Sequence, residues 1–239
     1  MKEKQHHDFQ VARNELKYYV SYSEYLIISN MLKKFMQEDR HNKSGKGYFV
    51  RSLYFDTLSD KSYEEKVAGI EERAKYRLRI YDFKGKSAKF EIKNKRNNFT
   101  MKDTAVISRK DAIRIQNGDY EAMLEYKDRI LNKAYMEFKK QSYRPVVMID
   151  YERHAFVADY NEIRIVFDKF LKSTASCFDI YDKQAFPTKK IKSGLVILEI
   201  KFNHFIPDFI KEVLQIPASE RSAVSKYSIG RLDNFDAIT

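Results

Sequence analysis

Between Arg73 and Asn98 the chain reads RAKYRLRIYDFKGKSAKFEIKNKRNN, and charge alternates with apolarity at a spacing of two. Arg73, Lys75, Arg77 and Arg79, then Tyr81, take one parity, whereas Ala74, Tyr76, Leu78 and Ile80 take the other. After the turn signal at Gly85, Lys89, Glu91, Lys93 and Lys95 form one set, with Phe90 and Ile92 between them. Successive side chains of a strand point to opposite faces, so the segment predicts a hairpin that is apolar on one side and cationic on the other.

The same parity runs through other candidate strands. Arg13, Glu15 and Lys17 share one face; so do Glu162, Arg164 and Asp168, and so do Glu199 and Lys201. Opposite them stand Leu16, then Ile163, Ile165 and Phe167, then Leu198, Ile200 and Phe202. Strand patterns cover QVARNELKYYV, GYFVRSLYFDT, FTMKDTAVISR, YRPVVMIDYERHAF, EIRIVFD and SGLVILEIKF. Helical patterns cover SYSEYLIISNMLKKFMQED, capped at Ser23 with Leu26, Ile27, Met31, Leu32 and Phe35 at helical spacing. They also cover a short segment after Asp60, a stretch from about Lys110 to Lys140, IPDFIKEVLQ and the final SKYSIGRLDNF. Strands outnumber helices without regular βαβ alternation, which predicts an antiparallel α+β architecture. One arrangement is an open sheet with a solvated face. The other is a closed barrel whose charged strand faces line a lumen while amphipathic helices cover the apolar faces from outside.

The 239 residues include 45 Lys and Arg against 34 Asp and Glu, a net charge of +11, and seven Gly and four Pro leave no long flexible linker. One domain spanning residues 1–239 is expected. Residues 73–96 hold ten of the basic and two of the acidic residues, so the charge is localised and points to a polyanionic partner. Cys177 is the single cysteine, which excludes an intrachain disulfide or a multi-cysteine zinc site. The opening MKEKQHHDFQ is polar and no apolar run reaches membrane-spanning length, so a cytoplasmic location is expected.

Walker, GxGxxG, GxSxG and HExxH motifs are absent, and the five histidines are scattered at 6, 7, 41, 154 and 204. His154 reads as structural. What remains abundant is Arg and Lys with isolated Glu on facing strands. That inventory suits phosphoryl transfer, where positioning and charge neutralisation supply most of the catalysis. Glu199 and Glu91 are carboxylates suited to Mg²⁺ or Mn²⁺, with Glu15 weighed beside them.

RNELKYYV, YFVRSLYFDT, KYRLRIYD, KFEIKNK, MIDYERHAF, LEIKF and SKYSIG occur in the order seen in the VTC domain, which this chain resembles over nearly its whole length. That is the polyphosphate polymerase family related to triphosphate tunnel enzymes. The resemblance implies an antiparallel β-tunnel that binds ATP and a divalent metal and transfers the γ-phosphoryl group to growing polyphosphate; short polyphosphate or pyrophosphate is expected to act as primer. It further implies that Arg77 and Arg79 bind the triphosphate, with Lys93, Arg153, Lys201, Lys226 and Lys17 as further phosphate ligands and Glu199 as metal ligand. Lys75, Lys89, Arg164 and Arg13 share the lining without so sharp a motif. Tyr54 and Tyr76 are read as core. Hydrolytic relatives carry two alternating glutamates before the first-strand lysine, whereas here the positions read Arg13, Glu15 and Lys17, which disfavours a triphosphatase. A non-catalytic polyphosphate or inositol-phosphate sensor and a nucleic-acid binder are the alternatives. The second is disfavoured because Tyr76 and Phe90 lie on the apolar parity and only Tyr81 shares a face with the arginines. A membrane-protein partner is left open.

Overall fold

The computed structural model describes residues 14–42, 45–96, 99–185, 187–189, 194–214 and 225–231. Arg13 and the end of the last predicted helix lie outside them. The strands are β1 (Asn14–Ser21), β2 (Gln37–Glu38), β3 (Tyr48–Asp56), β4 (Arg73–Ile80), β5 (Ser87–Arg96), β6 (Phe99–Ser108), β7 (Arg144–Ala158), β8 (Ile163–Thr174), β9 (Thr188–Lys189) and β10 (Leu195–Phe202). Helices are α1 (Tyr22–Leu32), α2 (Lys61–Val67), α3 (Arg109–Gln116), α4 (Arg129–Gln141), α5 (Asp208–Leu214) and α6 (Lys226–Arg231). The predicted helix over 110–140 is broken into α3, a 3₁₀ segment at Tyr120–Tyr126 and α4. Gly118 and Lys127, with φ of 91° and 49°, make the breaks.

One antiparallel sheet runs in the order β1-β10-β8-β7-β3-β4-β5-β6, with β2 added beside β7 and β9 beside β8. Among the described residues no pairing joins β1 to β6, so the expected ring is not closed by a hydrogen-bonded ladder. It is nevertheless strongly curled. Lys93 of β5 meets Glu15 of β1 at 3.0 Å although five strands separate the two in the sheet order. The alternating charge therefore faces a shared interior.

On the outside, parity places Tyr76, Leu78, Phe90 and Ile92 against α3, the 3₁₀ segment and α4, around the buried Phe138. A second outer cluster joins Tyr18, Val20, Phe167, Leu198 and Ile200 to α1 and α5. The cap of helix α1 lies two residues earlier than expected. Ser21, not Ser23, accepts the Glu24 backbone N–H, and the Glu24 carboxylate accepts the Ser21 N–H at 2.6 Å, completing a capping box. The buried face of α1 is Tyr25, Ile28 and Leu32; Leu26, Ile27, Met31 and Phe35 are exposed. His154 is buried in this outer layer, against Phe156 and the Tyr25 hydroxyl, in the structural role its sequence context suggested.

The last helix departs from the expected plan. Instead of covering the sheet from outside, α6 lies within the curl, where Tyr227 and Ile229 join Val50, Tyr54, Val147, Ile149 and Leu171 in an apolar cluster. Gly230 permits this approach: a Cβ there would stand 2.8 Å from Ile149 Cδ1 and 3.2 Å from Val147 Cγ2. Amphipathicity identifies an apolar helix face but not which side of the sheet it meets, so the sequence left this placement open.

Candidate functional site

The curl encloses a cavity of about 1430 Å³, whose lining contains fifteen Lys and Arg against four Asp and Glu. Lys17, Lys75, Arg77, Arg79, Lys93, Arg153, Lys201 and Lys226 all line it, as do Lys89, Arg164, Glu15 and Glu199. The described phosphate ligands proposed from sequence, with Glu15 and Glu199, thus converge on one space from β1, β4, β5, β7, β8, β10 and α6. Glu91, the other carboxylate considered for a metal, instead lies buried behind the lining.

The arginines are held in place by partners. Arg77 donates from Nε to Glu91 at 2.7 Å and from Nη1 to the Tyr54 hydroxyl at 2.9 Å. Arg79 donates to Ser52 Oγ at 3.0 Å and Tyr151 Oη at 3.1 Å, and lies 3.4 Å from Glu91. Burial alone would raise the Glu91 pKa, but Arg77, Arg79 and Lys102 pull it far below the ordinary carboxylate range. Glu91 is therefore the buried counter-charge of the arginine pair. Tyr76 is core as expected, while Tyr54 is buried on the lumen side and orients Arg77.

A second constellation forms around Asp168. Arg153 embraces its two oxygens at 2.8 and 2.9 Å, and Lys226 Nζ reaches one of them at 2.5 Å. Asp168 is fully buried. Burial favours its neutral form, yet Arg153 and Lys226 hold its pKa below the ordinary value. Lys226 is thus an interior lysine delivered by α6, not a surface cap. Sequence parity placed Asp168 with Arg164 but did not single it out; its pairing depends on the β7–β8 register, which sets Arg153 opposite Asp168.

Glu199 sits beside these groups, 2.9 Å from Lys201 and 3.8 Å from Lys226. Desolvation works against its charge, but Lys201, Lys17 and Lys226 keep it ionised well below the usual carboxylate pKa. The β1–β10 register sets Lys17 opposite Glu199 and Glu15 opposite Lys201, so the two glutamates are diagonal neighbours. Lys17 and Lys93 approach Glu15 at 2.8 and 3.0 Å. Among the described residues no group of three or more His, Cys, Asp or Glu forms a metal cluster. Glu15 and Glu199, two carboxylates beside a cationic cavity, are a donor set that fits Mg²⁺ or Mn²⁺, which commonly use one or two carboxylates together with substrate phosphates.

The lysines of the β4–β5 wall are less neutralised. Burial, then Lys93, Lys17, Lys66 and Arg73, depress Lys75 to about 6. Burial also lowers Lys93, to about 8, where Glu15 and Glu199 offset part of the repulsion from Lys17 and Lys201. By contrast Lys17 is pushed up to about 12, because Glu199 and Glu15 outweigh its burial.

A family model described as the VTC domain matches residues 12–233. The chain belongs to the VTC domain family. Membership makes this VTC domain part of a polyphosphate-related family of tunnel enzymes that act on phosphates. No curated protein matches it by sequence. Among solved structures it is similar to a putative adenylyl cyclase from Hippeastrum described as having a dominant triphosphatase activity, with TM-score 0.53 and 14% identity over 92% of this chain and 95% of that one. It also aligns with a Pyrococcus horikoshii protein, with TM-score 0.49 and 11% identity over 91% and 98% of the two chains. The Hippeastrum likeness shows a shared fold. No helix among the described residues of this VTC domain is long and apolar enough to cross a membrane.

Proposed function

We propose that this VTC domain is a metal-dependent polyphosphate polymerase that transfers the γ-phosphoryl group of ATP to a growing polyphosphate chain. The observation that carries the reading is the surplus of cationic lining along a cavity of about 1430 Å³, fifteen basic against four acidic residues, which remains a surplus of nine when the buried Glu91 and Asp168 behind the lining are counted. A single triphosphate leaves much of that charge unanswered.

Arg77 and Arg79 are preorganised to receive the oxygens of the transferred phosphoryl group, and guanidinium forks match such oxygens. Arg153, Lys226, Lys201 and Lys17 surround the same volume, with Lys93 and Lys75 extending it toward the β4–β5 wall. The terminal phosphate of the acceptor chain is already ionised, so no general base is required. Its oxygen forms the new bond to the γ-phosphorus, the bond from that phosphorus to the β–γ bridging oxygen breaks, and ADP leaves with that electron pair. A divalent ion on Glu199 and Glu15 would neutralise charge building on the phosphate oxygens. Expected partners are accordingly ATP, polyphosphate and a pyrophosphate primer.

The Hippeastrum protein's described triphosphatase activity makes hydrolysis the competing reading. Purified protein incubated with ATP and Mn²⁺, with and without pyrophosphate, separates them. ADP together with polyphosphate, appearing sooner with the primer, is expected, and Glu199→Gln should remove the metal-dependent turnover while circular dichroism stays unchanged. ADP and orthophosphate alone, with no polymer under any primer condition, would establish a triphosphatase instead.

A further inference from the structure

The lining is not uniform. At one end His41, Tyr48 and Tyr81 form an aromatic corner: His41 and Tyr81 are parallel within 8° at a centroid separation of 6.4 Å, and Tyr48 lies 5.9 Å from His41 and 6.1 Å from Tyr81. Tyr81 is 40% exposed, and all three rings line the cavity. They follow the phosphate-binding residues without a gap. Tyr81 is the next same-face residue after Arg77 and Arg79, and Tyr48 is paired across the sheet with Arg153.

The corner is built rather than incidental. Buried Asp39 accepts the His41 backbone N–H at 2.9 Å and pairs with Arg164 at 2.5 Å. Arg164 in turn donates to the Tyr48 hydroxyl at 3.3 Å. Gly47, with φ of 110°, brings the preceding turn against β7, where a Cβ would stand 2.7 Å from the Arg153 carbonyl oxygen. The opposite end differs. It is lined by Lys66, Arg73, Lys75 and Lys95, and its nearest aromatics, Tyr54 and Tyr227, are buried with their hydroxyls bound to Arg77 and Asp56.

Lys89 Nζ stands 5.2 Å from the Tyr81 ring centroid, so the ring is partly exposed beside both an ammonium and the guanidinium groups. An aromatic surface in that setting recognises one chemistry that free phosphate chains lack, a flat heteroaromatic base joined to a polyanion. Resting on the reading of ATP as phosphoryl donor, we infer that the His41–Tyr48–Tyr81 corner is the nucleobase subsite, so that the donor lies with its base at this end and the acceptor polyphosphate lies toward Lys66, Arg73 and Lys95.

Isothermal titration of the full chain with ATP and, separately, with tripolyphosphate, at fixed salt and Mg²⁺, tests this on the wild type, Tyr81→Ala and Tyr81→Phe. Base stacking is worth ~1–3 kcal/mol, so Tyr81→Ala should weaken ATP by about tenfold or more. Tripolyphosphate affinity should stay within about twofold, a few tenths of a kcal/mol, and Tyr81→Phe, which keeps the ring face, should retain wild-type ATP affinity. Equal losses for both ligands, or no change for ATP, would overturn the subsite while leaving the phosphate site intact. If neither ligand binds the wild type, the donor reading falls and the subsite with it.

Discussion

The interior cations fall into two classes, and the two walls that carry them behave differently. On the β7–β8 side Arg153 with Lys226 share Asp168, and toward the turn of the β4–β5 hairpin Arg77 with Arg79 share Glu91. Each cation there is fixed in direction by its carboxylate. Further along the hairpin, burial first and neighbouring cations second depress Lys75 to about 6, and burial depresses Lys93 to about 8 although Glu15 pairs with it at 3.0 Å. The first group is a rigid receptor that exists before any ligand arrives. The second completes its charge when a polyanion replaces water beside it, since an opposite charge favours protonation. The contrast suits a site that grips a reacting phosphoryl group at one place and lets a polymer of changing length slide at another.

Removing a shared carboxylate should break the contrast most severely. Asp168→Asn removes the carboxylate that Arg153 and Lys226 share and leaves only Glu199, 3.8 Å from Lys226, beside them, a change expected to cost ~3–5 kcal/mol. Urea unfolding should show that loss, whereas Lys93→Met should be neutral or stabilising. Equal, small effects at both positions would erase the distinction.

Next in size is the loss of one preorganised donor. Arg79→Ala should lower polymer synthesis by about 10²–10³-fold, as for other fixed donors to a developing anion. Gel analysis of products at saturating ATP would show it, and synthesis within a fewfold of wild type would remove Arg79 from the receptor.

A smaller effect sharpens the comparison through pH. Stability rises with pH wherever the unfolded chain binds more protons than the folded one. Lys75 is held down to about 6 against its ordinary 10.5, so between those values the unfolded chain carries the extra proton. The folded state therefore gains stability as pH rises through that window and loses it as pH falls toward 6. Lys75→Met should flatten the profile by up to ~1.4 kcal/mol per pH unit. Melting curves at pH 7 and pH 9 measure this, and an unchanged slope would show that Lys75 is not the titrating group.

Much of the site could be read from parity. A period of two placed Arg77, Arg79, Lys93, Glu199 and Lys201 on the charged strand faces because face assignment within a strand is a local property, but not whether those faces turn inward or to solvent. The family resemblance added Arg153, Lys226 and the tunnel. What stayed hidden depends on relations between strands distant in sequence. Asp168 gains its importance from the β7–β8 register, and Glu15 meets Lys93 only because the sheet curls. The lack, among the described residues, of a pairing between β1 and β6 and the inward seat of α6 were invisible for the same reason. Tyr81 was noticed as the one aromatic sharing the arginine face, but its companions His41 and Tyr48 come from a different part of the chain.

The division of labour between the walls is tested most directly by affinity as a function of phosphate chain length. Titrations at one pH and one salt concentration should show binding strengthening from tripolyphosphate to longer chains by about tenfold or more, ~1.4 kcal/mol, as added phosphates reach the lysine wall. That gain should vanish in a Lys75→Met, Lys93→Met double variant that still binds tripolyphosphate. If tripolyphosphate already binds as tightly as any longer chain, the lysine wall holds no polymer and the proposed two-chain site is contradicted.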